Sequence, residues 1–135
     1  MRTVNEGRLE FKIELHDEAG QLALVSRKFA DHGINIETMC AIDTNVVIVT
    51  DQVTEARVAL NSLGIAFSTT QLLSQSMPDK PGALADFSER LGEAGVSITS
   101  IYVLSRIQGA TELAFSVDDM DKARAVLNMH ESVPP

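Results

Sequence analysis

The sequence predicts an α+β fold in which the 135-residue chain contains two similar units. Two observations predict it: blocks of sequence recur in the same order, and each half alternates between strand-like and helix-like spacing of its apolar residues. The recurring blocks are Asp17–Ala23 with Asp79–Ala85, Gly33–Ile36 with Gly95–Ile98, and Ala56–Asn61 with Ala123–Asn128. We expect a first unit over residues 1–69 and a second over 70–135, with no flexible linker between them.

The first unit reads as strand, helix, strand, strand, helix, strand. Apolar side chains alternate from Leu9 to Leu15, which is typical of a strand with one buried face. Helical spacing of apolar residues follows twice, and Gly33 and Gly64 are expected to end those two helices. The remaining predicted strands are 34–42, 45–50 and 65–69. This βαββαβ order is that of a ferredoxin-like unit, an antiparallel sheet with its helices on one face.

The second unit repeats the plan but stops early. Strands are predicted near 71–77, 96–105 and 111–117, with a helix ending at Gly95 and another through Leu127. The third repeated block returns five positions late, which puts the extra residues most simply in the turn around Arg106 to Ala110. The tail after His130 is a poor strand, so the second unit is predicted to lack its fourth strand.

A missing fourth strand leaves the edge of the strand near 71–77 open, and open edges tend to pair with something. The sequence offers three covers: the segment 65–69, the N-terminal arm 1–7, or a second copy of the chain. Because isologous dimers are the commonest closed assemblies, we expect a homodimer with residues near 65–77 at or beside the interface.

Composition excludes several classes of partner and chemistry. A net charge of −8 argues against binding to nucleic acid or to an anionic membrane surface. There is no apolar run long enough to span a bilayer and no secretory signal, so a cytoplasmic location is expected. Cys40 is the only cysteine, and His16, Asp17 and Glu18 are interpreted as a solvated loop. No metal, cofactor or catalytic residue is predicted.

The loop of the second unit carries a family resemblance. Residues Met77–Ala85, followed by Gly95–Ile98, resemble the signature of ACT domains, D-x-P-G-x-L at a helix start and then G-[IV]-[NS]-I. The first copy departs from this pattern by having Ala19 where proline is usual. The whole chain resembles small stand-alone proteins made of two ACT domains. The resemblance implies a non-catalytic protein that binds amino acids at interfaces between paired domains.

The residues of this loop suit such a ligand on physical grounds. Proline presets φ at a helix start, and Gly82 lets a ligand approach the backbone. We expect backbone N–H groups at the helix start to meet a ligand carboxylate, and Asp79 to meet its ammonium group. A neighbouring unit could add Asn35 or Ser97. The predicted binding residues are Asp79, Lys80, Gly82, Ala83, Leu84, Ser97 and Ile98 in the second unit and Asp17, Gly20, Gln21, Leu22, Asn35 and Ile36 in the first.

Three functions remain open at this stage. The leading hypothesis is an amino-acid sensor built of two ACT domains, and the bland alternative for the loop is a tight strand-to-helix turn without a ligand. The second hypothesis is a regulatory subunit that docks on an amino-acid biosynthetic enzyme. The third hypothesis is a small hydrolase, although an anion-binding loop in such an enzyme would need an arginine where this chain has Asp17 and Asp79. Gln75, in register with buried Ile13, is expected to be buried near the ligand site or a water-filled gap.

Overall fold

The computed structural model describes residues 5–15 and 19–132, with side chains described over 7–15 and 19–127. It confirms an α+β fold with four helices and an antiparallel sheet. The elements in chain order are β1 (Asn5–Glu14), α1 (Gln21–Asp31), β2 (Thr38–Ile42), β3 (Asn45–Thr50), α2 (Val53–Ser62), β4 (Phe67–Pro78), α3 (Ala83–Glu93), β5 (Ile98–Ile107), β6 (Ala110–Val117) and α4 (Met120–Ser132). None of these described helices is long and apolar enough to cross a membrane.

Two compact units divide the chain. One comprises Gly7–Gln71, and the other begins at Leu72 and also includes Asn5 and Glu6 at the start of β1. Strand β4 is continuous from Phe67 to Pro78 and therefore contributes to both units. The sequence had predicted two separate strands here, 65–69 and 71–77, because the repeat boundary falls between them.

The first unit has the strand order β2-β3-β1-β4. Its core lies between the sheet and helices α1 and α2, where Phe11, Phe29 and Leu60 are fully buried. Phe67, at the start of β4, packs against Phe11 with ring centroids 5.7 Å apart. The apolar alternation read from β1 therefore does mark the face that the helices cover.

The second unit has the order β4-β6-β5, and the start of β1 is the other neighbour of β4. Its core joins the sheet to α3 and α4, and Phe87 meets Phe115 edge-on with ring centroids 4.9 Å apart. No strand follows α4 within the described residues, which end at Ser132.

The edge of the strand near 71–77 is covered, because β4 has a neighbouring strand on each side. Of the three covers that the sequence offered, the start of β1 is the one found in the second unit. The outer strands of the two units are β2 and β5. The homodimer stays a prediction, but it loses the argument from an uncovered β4.

Three helices end as the sequence predicts. The residues Gly33, Gly64 and Gly95 follow α1, α2 and α3 with φ of 68°, 68° and 77°. After α1, the Ile34 N–H donates to the Phe29 carbonyl at 2.9 Å, the paired-bond ending of a Schellman motif. Because these endings depend on short-range bonds, the repeated glycines locate them from the sequence alone.

Candidate functional site

The glycines that precede α1 and α3 have nearly the same backbone conformation. Gly20 has φ 92° and ψ −7°, and Gly82 has φ 91° and ψ −18°, both in the left-handed region. Each glycine carbonyl accepts the first helical bond at 2.9 Å, from the N–H of Leu24 and of Asp86 respectively. A side chain at either position would strain the backbone. The sequence repeat is therefore also a repeat of conformation at these two helix starts.

Hydrogen bonds within the second loop correct one expectation. The Ala83 N–H donates to the Lys80 carbonyl at 3.2 Å, so this N–H is used inside the loop rather than offered to a ligand carboxylate. The Asp79 N–H donates to the Gly109 carbonyl at 2.8 Å, which ties the loop to the tip of the β5–β6 hairpin. The N–H groups of Gly82 and Leu84 stay the predicted helix-start donors to a ligand carboxylate.

A cavity of about 240 Å³ lies between this loop and the β5–β6 hairpin, inside the second unit. It is smaller than the cavities of about 300–1,000 Å³ that hold drug-sized molecules, so it suits a small ligand. Its walls combine charged loop and strand residues with a larger apolar surface. The lining residues are Met77, Pro78, Asp79, Lys80, Ala83, Leu84, Ile101, Tyr102, Val103, Arg106, Thr111 and Leu113.

Four of the predicted residues, Asp79, Lys80, Ala83 and Leu84, line this cavity. Leu84 is 53% exposed, although it stands at an apolar position of the repeat. Ile101 and Val103, which line the same cavity, are 40% and 44% exposed. Large apolar side chains left exposed in the lining of one cavity give a ligand apolar surface to cover.

Arg106 reaches the cavity because strand β5 is irregular. Val103 pairs with Leu113, and regular alternation would then place Ser105 opposite Thr111. A register shift between Val103 and Ser105 places Arg106 there instead. A bulge of this kind re-aims the following side chains. It puts Arg106 on the same face of the sheet as Thr111, which is the cavity face.

The extra residues of the second copy lengthen the strands rather than the turn. The turn itself is only Gln108 and Gly109, with φ of 53° and 78°. Strand β5 has 10 residues where its counterpart β2 has 5. Sequence reasoning had put Arg106 in the turn and so missed it, together with Ile101 and Val103. The late third block of the repeat was the signal that this hairpin differs.

Ser97 and Ile98 lie at the opposite end of β5 from the cavity. Ile98 pairs with Val117, six strand positions from the Thr111 pair, and packs partly buried against the second core. The Ser97 N–H donates to Asp118 Oδ1 at 2.9 Å. In the first unit the Asn35 N–H makes the equivalent bond to Gln52 Oε1 at 2.8 Å. Neither polar residue lines the cavity of the second unit.

The other predicted residues of the first unit are structural or lie apart from the cavity. Leu22 and Ile36 pack against the first core, Gly20 is exposed and Gln21 is half-buried. Asp17 falls outside the described residues. A cavity of about 280 Å³ in the first unit is lined by Lys12, Cys40, Ile42, Asp43, Asn45 and Val47, and none of these belongs to the loop before α1.

Gln75 is buried, as predicted, with 4% of its surface exposed. It lines a second cavity of about 230 Å³, between β4 and α3, together with Asp86 and Arg90. This cavity shares Met77, Pro78, Lys80 and Ala83 with the first. Lys80 therefore stands between the two cavities.

The family model of the ACT domain matches residues 71–126. Over these residues the chain is similar to an ACT domain. The match spans β4 to α4 and so includes every residue that lines the cavity of about 240 Å³. Comparison with curated proteins gives no significant match.

Solved structures show the same fold over nearly the whole chain. Protein BT0572 from Bacteroides thetaiotaomicron is 25% identical, with a TM-score of 0.79 over 96% of this chain and 90% of that one. The regulatory subunit of aspartate kinase from Thermus thermophilus, in its ligand-free form, is 16% identical, with a TM-score of 0.70 over 99% and 97%. Aspartokinase III of E. coli in complex with lysine and aspartate is 15% identical, with a TM-score of 0.63 over 97% of this chain and 32% of that one. At 16% and 15% identity, the last two show the fold alone.

Proposed function

We propose that this chain is a non-catalytic regulatory protein that binds a free amino acid in the cavity of its second unit. The observation that carries the proposal is the cavity itself, which the ACT-domain loop and the β5–β6 hairpin enclose. It sets Asp79, Lys80 and Arg106 beside an apolar wall. A carboxylate and a cation beside a small apolar space can meet the two charged ends of a zwitterionic amino acid.

The first unit is proposed as a second ACT domain, so that the chain is a tandem of two. It has the same order of elements up to its last strand, and its loop glycine has the same conformation as Gly82. Ser97 and Asn35 stay outside the cavity and contribute, in this proposal, only from a neighbouring unit. A homodimer would bring such a neighbour.

A second candidate is a regulatory subunit that docks on an amino-acid biosynthetic enzyme. It is favoured by the fold of the Thermus thermophilus aspartate kinase regulatory subunit, which this chain matches from end to end. A tagged chain that recovers one enzyme in a fixed ratio would support docking. The two candidates are compatible, because a docked subunit can carry the sensing cavity.

Thermal unfolding in the presence of each of the twenty amino acids tests the proposal. A ligand at about 100 times its dissociation constant should add about 2.7 kcal/mol to the free energy of unfolding. Asp79→Asn removes the expected partner of the ligand ammonium group and should reduce that gain. The matched control is Asp43→Asn, an exposed loop carboxylate of the first unit. If no amino acid raises the melting temperature, the proposal is wrong.

A further inference from the structure

We infer that the amino acid bound in this cavity has an uncharged, apolar side chain, and that Arg106 holds its carboxylate. The inference rests on the proposed function and specifies it further, since it names the class of ligand and the residue that orients it. It depends on the lining of the cavity, on the charges around it and on the register of β5.

The apolar lining of the cavity combines buried and half-exposed side chains. Met77 and Leu113 are only 8% and 5% exposed. Leu84 on α3 and Ile101 and Val103 on β5 are about half exposed. A ligand that fills the space between them removes this apolar surface from water, which is favourable only if its own side chain is apolar.

The charged residues that line the cavity are Asp79, Lys80 and Arg106. Asp79 suits the ligand ammonium group and Arg106 its carboxylate, which leaves Lys80 as the third charged residue. Lys80 also borders the neighbouring cavity, whose lining includes Asp86 and Arg90. Once Asp79 has met the ammonium group, no carboxylate lining the cavity is left for a basic side chain. The preference against an acidic side chain rests on the apolar lining.

Arg106 is placed to hold the carboxylate end of this ligand. The bulge between Val103 and Ser105 puts Arg106 opposite Thr111, which in turn pairs with Met77 just before the loop. A guanidinium group can bind both oxygens of a carboxylate at once. At about 3.3 Å per residue, Val103 lies roughly 10 Å back along the strand, so the ligand side chain points from Arg106 towards Val103 and Ile101.

Calorimetric titration of the full chain tests the inference. Leucine, methionine and phenylalanine are compared with aspartate, glutamate and lysine, and the apolar set should bind at least about tenfold more tightly. Arg106→Gln should weaken the best apolar ligand by about tenfold or more, because a bidentate ionic contact is lost. Arg124→Gln is the matched control: it removes the same charge from α4 in the same unit, outside the cavity, and should leave affinity unchanged.

Two further measurements test the contact of the ligand carboxylate and the contact of its side chain separately. The amide of the best ligand lacks the carboxylate, so it should bind the unmodified chain weakly and be insensitive to Arg106→Gln. Val103→Asn, on a half-exposed strand position, should weaken the large apolar amino acids but not glycine or alanine. Equal weakening of all of them would overturn the placement of the side chain.

The outcomes distinguish this inference from the proposed function. If a charged amino acid binds most tightly, or if Arg106→Gln binds as the unmodified chain does, the inference is wrong and amino-acid binding stands. If no amino acid binds in any arm, both are wrong. Tight binding of an apolar amino acid that depends on Arg106 supports both.

Discussion

The two units share the conformation of the glycine before their first helix but differ in the hairpin that accompanies it. Gly20 and Gly82 agree within 1° in φ and 11° in ψ. In the second unit the loop is tied through Asp79 to the tip of a long hairpin, and a cavity lies between them. The corresponding hairpin of the first unit is built from strands of 5 and 6 residues, against 10 and 8 in the second.

This difference separates the conformation of a loop from its capacity to bind. A left-handed glycine before a helix can recur because short-range geometry requires it. The cavity also needs Ile101, Val103 and Arg106, which the longer strand β5 supplies. The proposed binding function therefore belongs to the hairpin as much as to the signature loop.

The largest expected effect comes from the two cores. Phe115 is fully buried and pairs with Ile101 in the sheet, so Phe115→Ala should lower the free energy of unfolding by about 3–5 kcal/mol and abolish amino-acid binding. Phe11→Ala in the first core should destabilise by a similar amount, because Phe11 is equally buried. Molecules of that variant that remain folded should still bind. Chemical denaturation measures the stability of both variants, and calorimetry measures their affinity for the amino acid. Equal loss of affinity in the two variants would contradict the prediction.

A sharper comparison uses the two loop glycines. Gly20→Ala and Gly82→Ala should each cost about 1–2 kcal/mol from left-handed strain. An added Cβ would meet nothing within 4 Å at either site, so backbone strain alone should lower the stability of both variants. Only Gly82→Ala should also weaken binding, by about fivefold, since it shifts Asp79 and Lys80 against the hairpin. Greater loss of affinity at Gly20 would show that the site lies in the first unit.

The smallest expected effect concerns ion pairs. Arg8 Nε lies 2.9 Å from both carboxylate oxygens of Glu37, with both side chains only 20% exposed. Glu37→Gln should lower the free energy of unfolding by about 1 kcal/mol. In the second unit the Arg124–Asp121 pair has one partner 98% exposed, so Arg124→Gln should change stability by less than about 0.5 kcal/mol. Urea denaturation measures the free energy of unfolding of both variants. A larger loss of stability in Arg124→Gln than in Glu37→Gln would contradict the argument from burial.

The features that the sequence predicted well are governed by nearby residues. Helices α1 to α3 end at Gly33, Gly64 and Gly95 because each ending closes within a few residues. The buried face of β1 follows from period-2 alternation, and the buried position of Gln75 follows from its register with Ile13. Four predicted residues at the start of α3 and in the loop before it line one cavity, because the motif locates the strand-to-helix connection; that they bind a ligand stays a prediction.

What the sequence did not predict depends on partners far along the chain. Whether Arg106 faces the cavity depends on a bulge, and a bulge exists only relative to the paired strand β6. Ser97 and Ile98 were grouped with the loop because their motif accompanies it, yet they lie at the other end of β5. The continuity of β4 escaped detection because the repeat suggested a boundary within it.

The membership of Asn5 and Glu6 in the second unit has a consequence for biosynthesis. These residues precede Leu72, where the rest of that unit begins, by more than 60 positions. At ribosomal rates of about 5–20 residues per second, they wait roughly 3–13 s for their partner strand to be made. During that interval their backbone N–H and C=O groups are open to other extended segments. The order of synthesis thus leaves Asn5 and Glu6 without their partner strand until β4 has been made.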